Sequence, residues 1–190
     1  MQKNPLQSIL NVIIVALLLL SGQVTFAQSS APPWMGIVTY VTDGDTLWVQ
    51  SIDHSTWHRL RILGIDAPEI CQPWGSEARQ TLTALVAGRQ LEIIEFGQDV
   101  YGRWLGRLHI GSIDVGQWMV AQGHAWSYRY LNQSSPYKQQ ELIAKNLKRG
   151  SFALSKPKIP QSFRKKYGSC RLRHQVCVAT HRALRIFFNL

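Results

Sequence analysis

The sequence predicts a mainly β, α+β fold: a small closed barrel of five strands with about three helices packed at one end. Three observations point there. Five short runs rich in β-branched and aromatic residues lie between residues 36 and 110, with few residues between most of them. Only three segments carry apolar residues at helical spacing. The chain has 190 residues, is 45% hydrophobic and carries all seven Trp at or before Trp126, which suits one domain with its core in mid-chain. Short strands in this number bury their apolar faces by closing on themselves.

The first two strands, 37–42 and 46–52, flank Asp43-Gly44-Asp45-Thr46. An Asp-Gly between β-rich runs is a hairpin signal, because Gly accepts the positive φ of a tight turn. The third strand, 55–63, puts Leu60 and Ile62 on one face and Arg59, Arg61 and Leu63 on the other. A helix follows at 75–88, with Ser76 as its expected cap, Ala78, Leu82 and Leu85 on one side, and Gly88 as its stop. Strands at 89–96 and 103–110 complete the barrel. A short helix over 114–123 stops at Gly123, and a last one spans 136–148.

The ends read differently. Residues 1–27 have a lysine near the start, an apolar run from Val12 to Leu20, and Thr25-Phe26-Ala27, the pattern of a cleaved signal peptide. The alternative, a membrane anchor, needs about 20 apolar residues. The expectation is an exported, periplasmic or extracellular protein with no stable membrane insertion after cleavage. Residues 28–35 read as a linker, 36–167 as the domain and 168–190 as a basic tail. Net charge is +10, yet residues 1–141 carry 9 basic and 11 acidic side chains, while 142–190 carry 12 Lys and Arg and no acid. Such a block favours polyanions, or simply solubility. The tail itself suits nucleic acid, an anionic membrane surface, or no fixed structure. Three cysteines, Cys71, Cys170 and Cys177, follow the leader. Cys170 and Cys177 could bridge locally, and the odd count leaves one over.

Three polar islands exceed what a barrel needs: "DGDT" (43–46), "RILGIDAPE" (61–69) and "DVYGR" (99–103). Asp is a poor strand residue. If the third strand pairs beside the first two, Asp45 and Asp66 converge, and two carboxylates without a cation repel. Asp oxygens with the Ala67 carbonyl suit a hard cation such as Ca²⁺. Asp43 is as well explained as a turn former. Glu69, three residues beyond a ligand, is the candidate general base, although alone a surface carboxylate is the simpler reading. Arg61 and Arg103 are candidate phosphate clamps.

These islands, in this order, with "QPWGSEA" (72–78) and "VAQGHAW" (120–126), resemble the staphylococcal nuclease family from about Val38 to Phe163. The resemblance implies an oligonucleotide-binding-type (OB-type) barrel and Ca²⁺-dependent hydrolysis of DNA and RNA that leaves 3′-phosphates. It implies Asp45, Asp66 and the Ala67 carbonyl as Ca²⁺ ligands and Asp43 as a supporting carboxylate behind them. Glu69 becomes the base for a metal-activated water, and Arg61 and Arg103 the clamps. Ala67 stands where the type enzyme has threonine, which costs little because only a carbonyl is asked of it. A longer loop before the third strand makes Arg59 a competitor for Arg61. Tyr101, Tyr128 and Tyr130 are candidate substrate contacts, with core or surface roles equally open for the last two. A monomer is expected. The rival readings are a non-catalytic nucleic-acid-binding barrel and a membrane-surface or scaffold protein driven by the tail.

Overall fold

The computed structural model describes residues 32–128 and 135–170. The expected signal peptide, the first part of the linker, Tyr130, Cys177 and the tail beyond Cys170 lie outside the described residues. Five strands close a barrel: β1 (Trp34–Val41), β2 (Thr46–Ser51), β3 (Trp57–Ile62), β5 (Gln90–Gln98) and β6 (Trp104–Ile110). Neighbours β3-β2-β1-β5-β6 pair antiparallel, and β3 closes on β6 in parallel, with Leu60 opposite Trp104 and Ile62 opposite Gly106. This is the mixed, mainly β, OB-type barrel that the strand pattern and the resemblance imply. Two short pairings lie outside it. β4 (Ile65–Asp66) pairs with β8 (Trp126–Ser127), and β7 (Ile113–Asp114) extends β6.

The period-2 pattern does the packing. Leu47, Val49, Leu60, Ile62, Leu91, Ile93 and Leu108 point inward and are essentially solvent-free. Their outward neighbours on β3, Arg59 and Trp57, are exposed. Helix α1 (Gly75–Val86) covers one end with Ala78, Leu82 and Val86, and α2 (Val115–Ala121) adds Val115, Met119 and Val120. Trp74 before α1 donates from Nε1 to His124 Nδ1 at 3.1 Å after α2. The accepting nitrogen must be unprotonated, in keeping with burial holding this imidazole below its usual pKa. The two sequence stretches around Trp74 and His124 are thus one contact. Helix α3 (Lys138–Asn146), a 3-10 turn (Gly150–Ala153) and a fourth helix, α4 (Pro160–Tyr167), follow.

Four expectations need correction. Gly44 is not at positive φ. The β1–β2 connection is a four-residue bend over 42–45, closed by the Thr42 N–H donating to the Thr46 carbonyl at 2.8 Å. Glycine is needed there for space, since a β-carbon would lie 2.7 Å from Ala67 Cβ and 2.8 Å from Ala78 Cβ. Ser76 does not cap α1. The preceding residue, Trp74, is left-handed with φ 75°, and Ser76 Oγ instead accepts from Gln80 Nε2 one turn on. Cys170 pairs with Cys71 rather than locally, because α4 brings the chain back to the loop after Glu69. The bridge spans 99 residues, for which chain entropy suggests about 4 to 5 kcal/mol of stabilisation. Finally, α4 has no counterpart in the expected elements. It starts on a Pro, a good first helical residue, and of its residues only that Pro160 is buried.

Gly75 opens α1 directly against the Glu69 carbonyl, which a β-carbon would overlap. Gly75→Ala should therefore push the 69–72 turn outward and cost about 1 to 3 kcal/mol, the usual range for overpacking. Urea unfolding checks this; an unchanged midpoint would contradict it.

Candidate functional site

Asp45 sits on the bend before β2, and strand pairing brings Arg61 to it. Thr46 lies opposite Arg61 in the β2–β3 register, and the Asp45 carbonyl accepts from the Ile62 N–H at 2.8 Å. Asp66 lies on β4, held inward by its pairing with Trp126. Both carboxylates are buried, Asp45 with 4% and Asp66 with 2% of its surface exposed.

One guanidinium joins them. Arg61 Nη1 donates to Asp45 Oδ1 at 2.5 Å, and Nη2 donates to Asp66 Oδ1 at 3.1 Å and to the Ile65 carbonyl at 3.3 Å. Arg59 shares the outward face of β3 but stays exposed, and it is Arg61 that the two carboxylates engage. Asp45 accepts two further bonds, from Thr46 Oγ1 at 2.9 Å and, at its other oxygen, from the Ala67 N–H at 2.9 Å. Burial alone would raise the Asp45 pKa, but Arg61 and these donors outweigh it and hold the carboxyl below the usual range. The Arg61 guanidinium is likewise kept charged, because Asp45, Asp66 and Asp43 outweigh its desolvation.

Arg103 joins through Thr46. Its Nη1 donates to Thr46 Oγ1 at 3.3 Å, while Nε donates to Asp99 Oδ2 at 2.8 Å. Asp99 organises the whole "DVYGR" turn, accepting also from the Tyr101 and Arg103 N–H groups at 2.9 and 3.0 Å. Burial would raise the Asp99 pKa; the Arg103 bonds and these N–H groups win and lower it. Tyr101 projects into solvent, 76% exposed, with the Arg103 guanidinium 5.4 Å from its ring centre.

Glu69 comes in from the other side. Its loop is fixed by Gln72, whose N–H donates to the Glu69 carbonyl at 2.8 Å. The side chain joins Asp66 through a residue that the sequence pattern does not single out, Arg164 of α4. Arg164 Nη1 donates to Asp66 Oδ1 at 2.9 Å and Glu69 Oε1 at 3.0 Å, and Nη2 to Asp66 Oδ2 at 3.0 Å. Asp66 and Glu69 outweigh desolvation to hold this guanidinium charged. Arg164 lies 98 residues from Asp66, beyond any local spacing rule. The one sequence signal for it is indirect: Cys71 follows Glu69 by two residues, and Cys170 follows Arg164 by six.

The structure therefore gathers Asp45, Arg61, Asp66, Glu69 and Arg103 into one connected set. Asp43 stands behind it, accepting from the Asp45 N–H at 3.0 Å. Tyr128 makes a backbone bond to the Gly64 carbonyl at 2.8 Å and takes no part in the set; Tyr130 lies outside the described residues. Among the described residues, no three His, Cys, Asp or Glu side chains form a ready metal cage. The donors a hard cation could use are the Asp45 and Asp66 carboxylates with the Ala67 carbonyl. Their chemistry fits Ca²⁺, with remaining positions left to water and substrate oxygens.

Burial, and next the Asp45 charge, push the Asp43 carboxyl up to about 7. A carboxyl whose folded pKa exceeds its unfolded value stabilises most below the unfolded value, 3.8, and that contribution fades as pH rises through 7. Asp43→Asn keeps the acceptor but does not ionise. In chelator, its melting temperature should gain on the parent as pH goes from 5 to 8. An offset that does not change with pH would contradict this.

Comparison with known proteins places the chain. A family model described as staphylococcal nuclease homologue matches residues 59–150. An uncharacterized endonuclease of Escherichia coli O157:H7 is 36% identical over 130 residues, 68% of this chain and 84% of the relative. A probable staphylococcal-like nuclease, CAN3, of Oryza sativa subsp. japonica is 31% identical over 114 residues, 60% of this chain but only 30% of the relative. The staphylococcal-like nuclease CAN1 of Arabidopsis thaliana is 33% identical over 107 residues, 56% of this chain and 33% of the relative. The chain thus matches about a third of the length of these plant proteins. With these matches and the barrel that carries them, the chain belongs to the staphylococcal nuclease family.

Proposed function

We propose that the chain is an exported Ca²⁺-dependent nuclease that hydrolyses phosphodiester bonds in DNA and RNA. The observation that carries this reading is the convergence of two buried carboxylates, Asp45 and Asp66, on one guanidinium, with Glu69 and Arg103 beside them. Burying like charges together is costly. A barrel that only binds a polyanion gains nothing from it, so the acids speak for chemistry.

Asp45, Asp66 and the Ala67 carbonyl would hold Ca²⁺, which supplies positive charge that neutralises and orients the phosphodiester. Glu69 Oε1 takes a proton from the attacking water. A P–O bond forms as the bond to the leaving 5′-oxygen breaks, and that oxygen picks up a proton from solvent. Arg103 reaches the phosphoryl oxygens from the barrel mouth. Arg61 has one amino group on Asp45 and the other on Asp66 and Ile65, so it serves the phosphate with its remaining N–H groups. Its first task is to fix the carboxylates. Preorganised donors of this kind stabilise charge as it builds during transfer. The family's endonuclease-named relative and the basic composition of the sequence after residue 141 support nucleic acid as substrate. Among the described residues no helix is long and apolar enough to cross a membrane.

Plasmid DNA and RNA incubated with the protein should be cut with Ca²⁺ and spared with excess chelator. Asp66→Asn should abolish cutting. Glu69→Gln should lower kcat by about 10² to 10⁴, and Arg103→Ala by about 10² to 10³. A gel shift with no cleavage under any divalent cation would instead identify the non-catalytic binding module. Parental rates for Glu69→Gln would remove it from the base role.

A further inference from the structure

Helix α4 is not a loose flap. Ahead of it, the Lys158 carbonyl accepts from Gln72 Nε2 at 2.7 Å, and Pro160 at its first position is buried. Beyond it, Gly168 ends the helix at φ 78° and the chain reaches the Cys71–Cys170 bridge. Both anchors, residues 71 and 72, belong to the turn that carries Glu69. With its two ends tied to that turn, α4 cannot swing from the site as a lid would. What is free to move is the Arg164 side chain, which keeps 27% of its surface exposed at the mouth of the site.

Its present partner Asp66 is shared. Asp66 receives two guanidinium groups, from Arg61 and Arg164. A divalent cation at Asp66 would compete with Arg164, the more exposed of the two guanidinium groups, which would then be free for a substrate phosphate. A guanidinium fork matches a phosphate as well as a carboxylate. The rest of α4 suits a polyanion too: Lys165 and Lys166 follow in the same turn, and no acidic residue lies on the helix.

We propose that Arg164 is a third phosphate-binding arginine of the site, kept in place by the Cys71–Cys170 bridge. It holds Asp66 and Glu69 apart from solvent until substrate arrives and then turns to a substrate phosphate. This rests on the nuclease reading for its rate effects but not for its binding effects.

Three measurements test it, using Arg164→Ala, Arg164→Lys and Cys71→Ser, each first checked by circular dichroism and melting. At saturating Ca²⁺, Arg164→Ala should lower kcat/KM about 10²-fold or more, with part of the loss recovered in Arg164→Lys. Calorimetry without nucleic acid should show Ca²⁺ binding equal to or tighter than the parent's, which excludes damage to the carboxylates. With a phosphorothioate 12-mer, which keeps its charges and resists cleavage, the salt dependence of binding in Ca²⁺ should flatten by about 0.7 in log–log slope in Arg164→Ala. Cys71→Ser should lose activity towards the Arg164→Ala level, and combining the two should add little. A kcat/KM at or above the parent's with an unchanged salt slope would overturn the proposal and make Arg164 a plug that competes with the cation. Full activity in Cys71→Ser would overturn the role of the bridge. If the parent cuts nothing, the nuclease reading fails, and the salt slope alone still decides whether Arg164 meets phosphate.

Discussion

The site depends on one guanidinium, that of Arg61, held between two buried carboxylates, one on the bend before β2 and one on β4. Without it, Asp45 and Asp66 would face each other in a low-dielectric interior. Removing one member of such a set strands an uncompensated charge, which typically costs about 3 to 5 kcal/mol. The fold is arranged to make the meeting unavoidable. Strand pairing fixes Arg61 across from Thr46, the Ala67 N–H fixes the far oxygen of Asp45, and the β4–β8 pair turns Asp66 inward. The glycine at position 44 lets the Asp45 bend press against Ala67 and Ala78. A packing detail of the barrel end thereby sets the distance between two acids.

Much of this was legible in the residues. Alternation on β3 separates Leu60 and Ile62 from Arg61, and the strands formed where branched and aromatic residues cluster. Asp45 and Asp66 stand out because strands and tight turns do not ask for them. The rest depends on information no short window holds. Ser76 has the chemistry of a cap, yet left-handed Trp74 starts the helix and the serine faces Gln80 instead. Gly44 fits a turn by propensity, while its real constraint is the crowd of side chains around it. Helix α4 is short and mostly polar and buries only Pro160, since it is fixed by anchors at its ends rather than by a buried face.

Arg164 shows the same limit at the site itself. It reaches Asp66 and Glu69 across nearly a hundred residues, and only the two cysteines hint at that approach. The result is a chain of charge running from Asp99 through Arg103, Thr46, Asp45, Arg61 and Asp66 to Arg164 and Glu69. Each acid in it meets a base, and each base has N–H groups or mobility left for something else. On the proposed reading, Arg61 and Arg103 would stay in place while Arg164 gives way to a cation and a phosphate.

The most direct test is a crystal structure of the protein grown with Ca²⁺, with the ion identified by anomalous scattering. The expected result is one ion bound by carboxylate oxygens of both Asp45 and Asp66, at about 2.3 to 2.6 Å, with the Arg164 guanidinium off Asp66. An ion held elsewhere, or Asp66 still forked by Arg164 at saturating Ca²⁺, would contradict the view that these two carboxylates form the cation site.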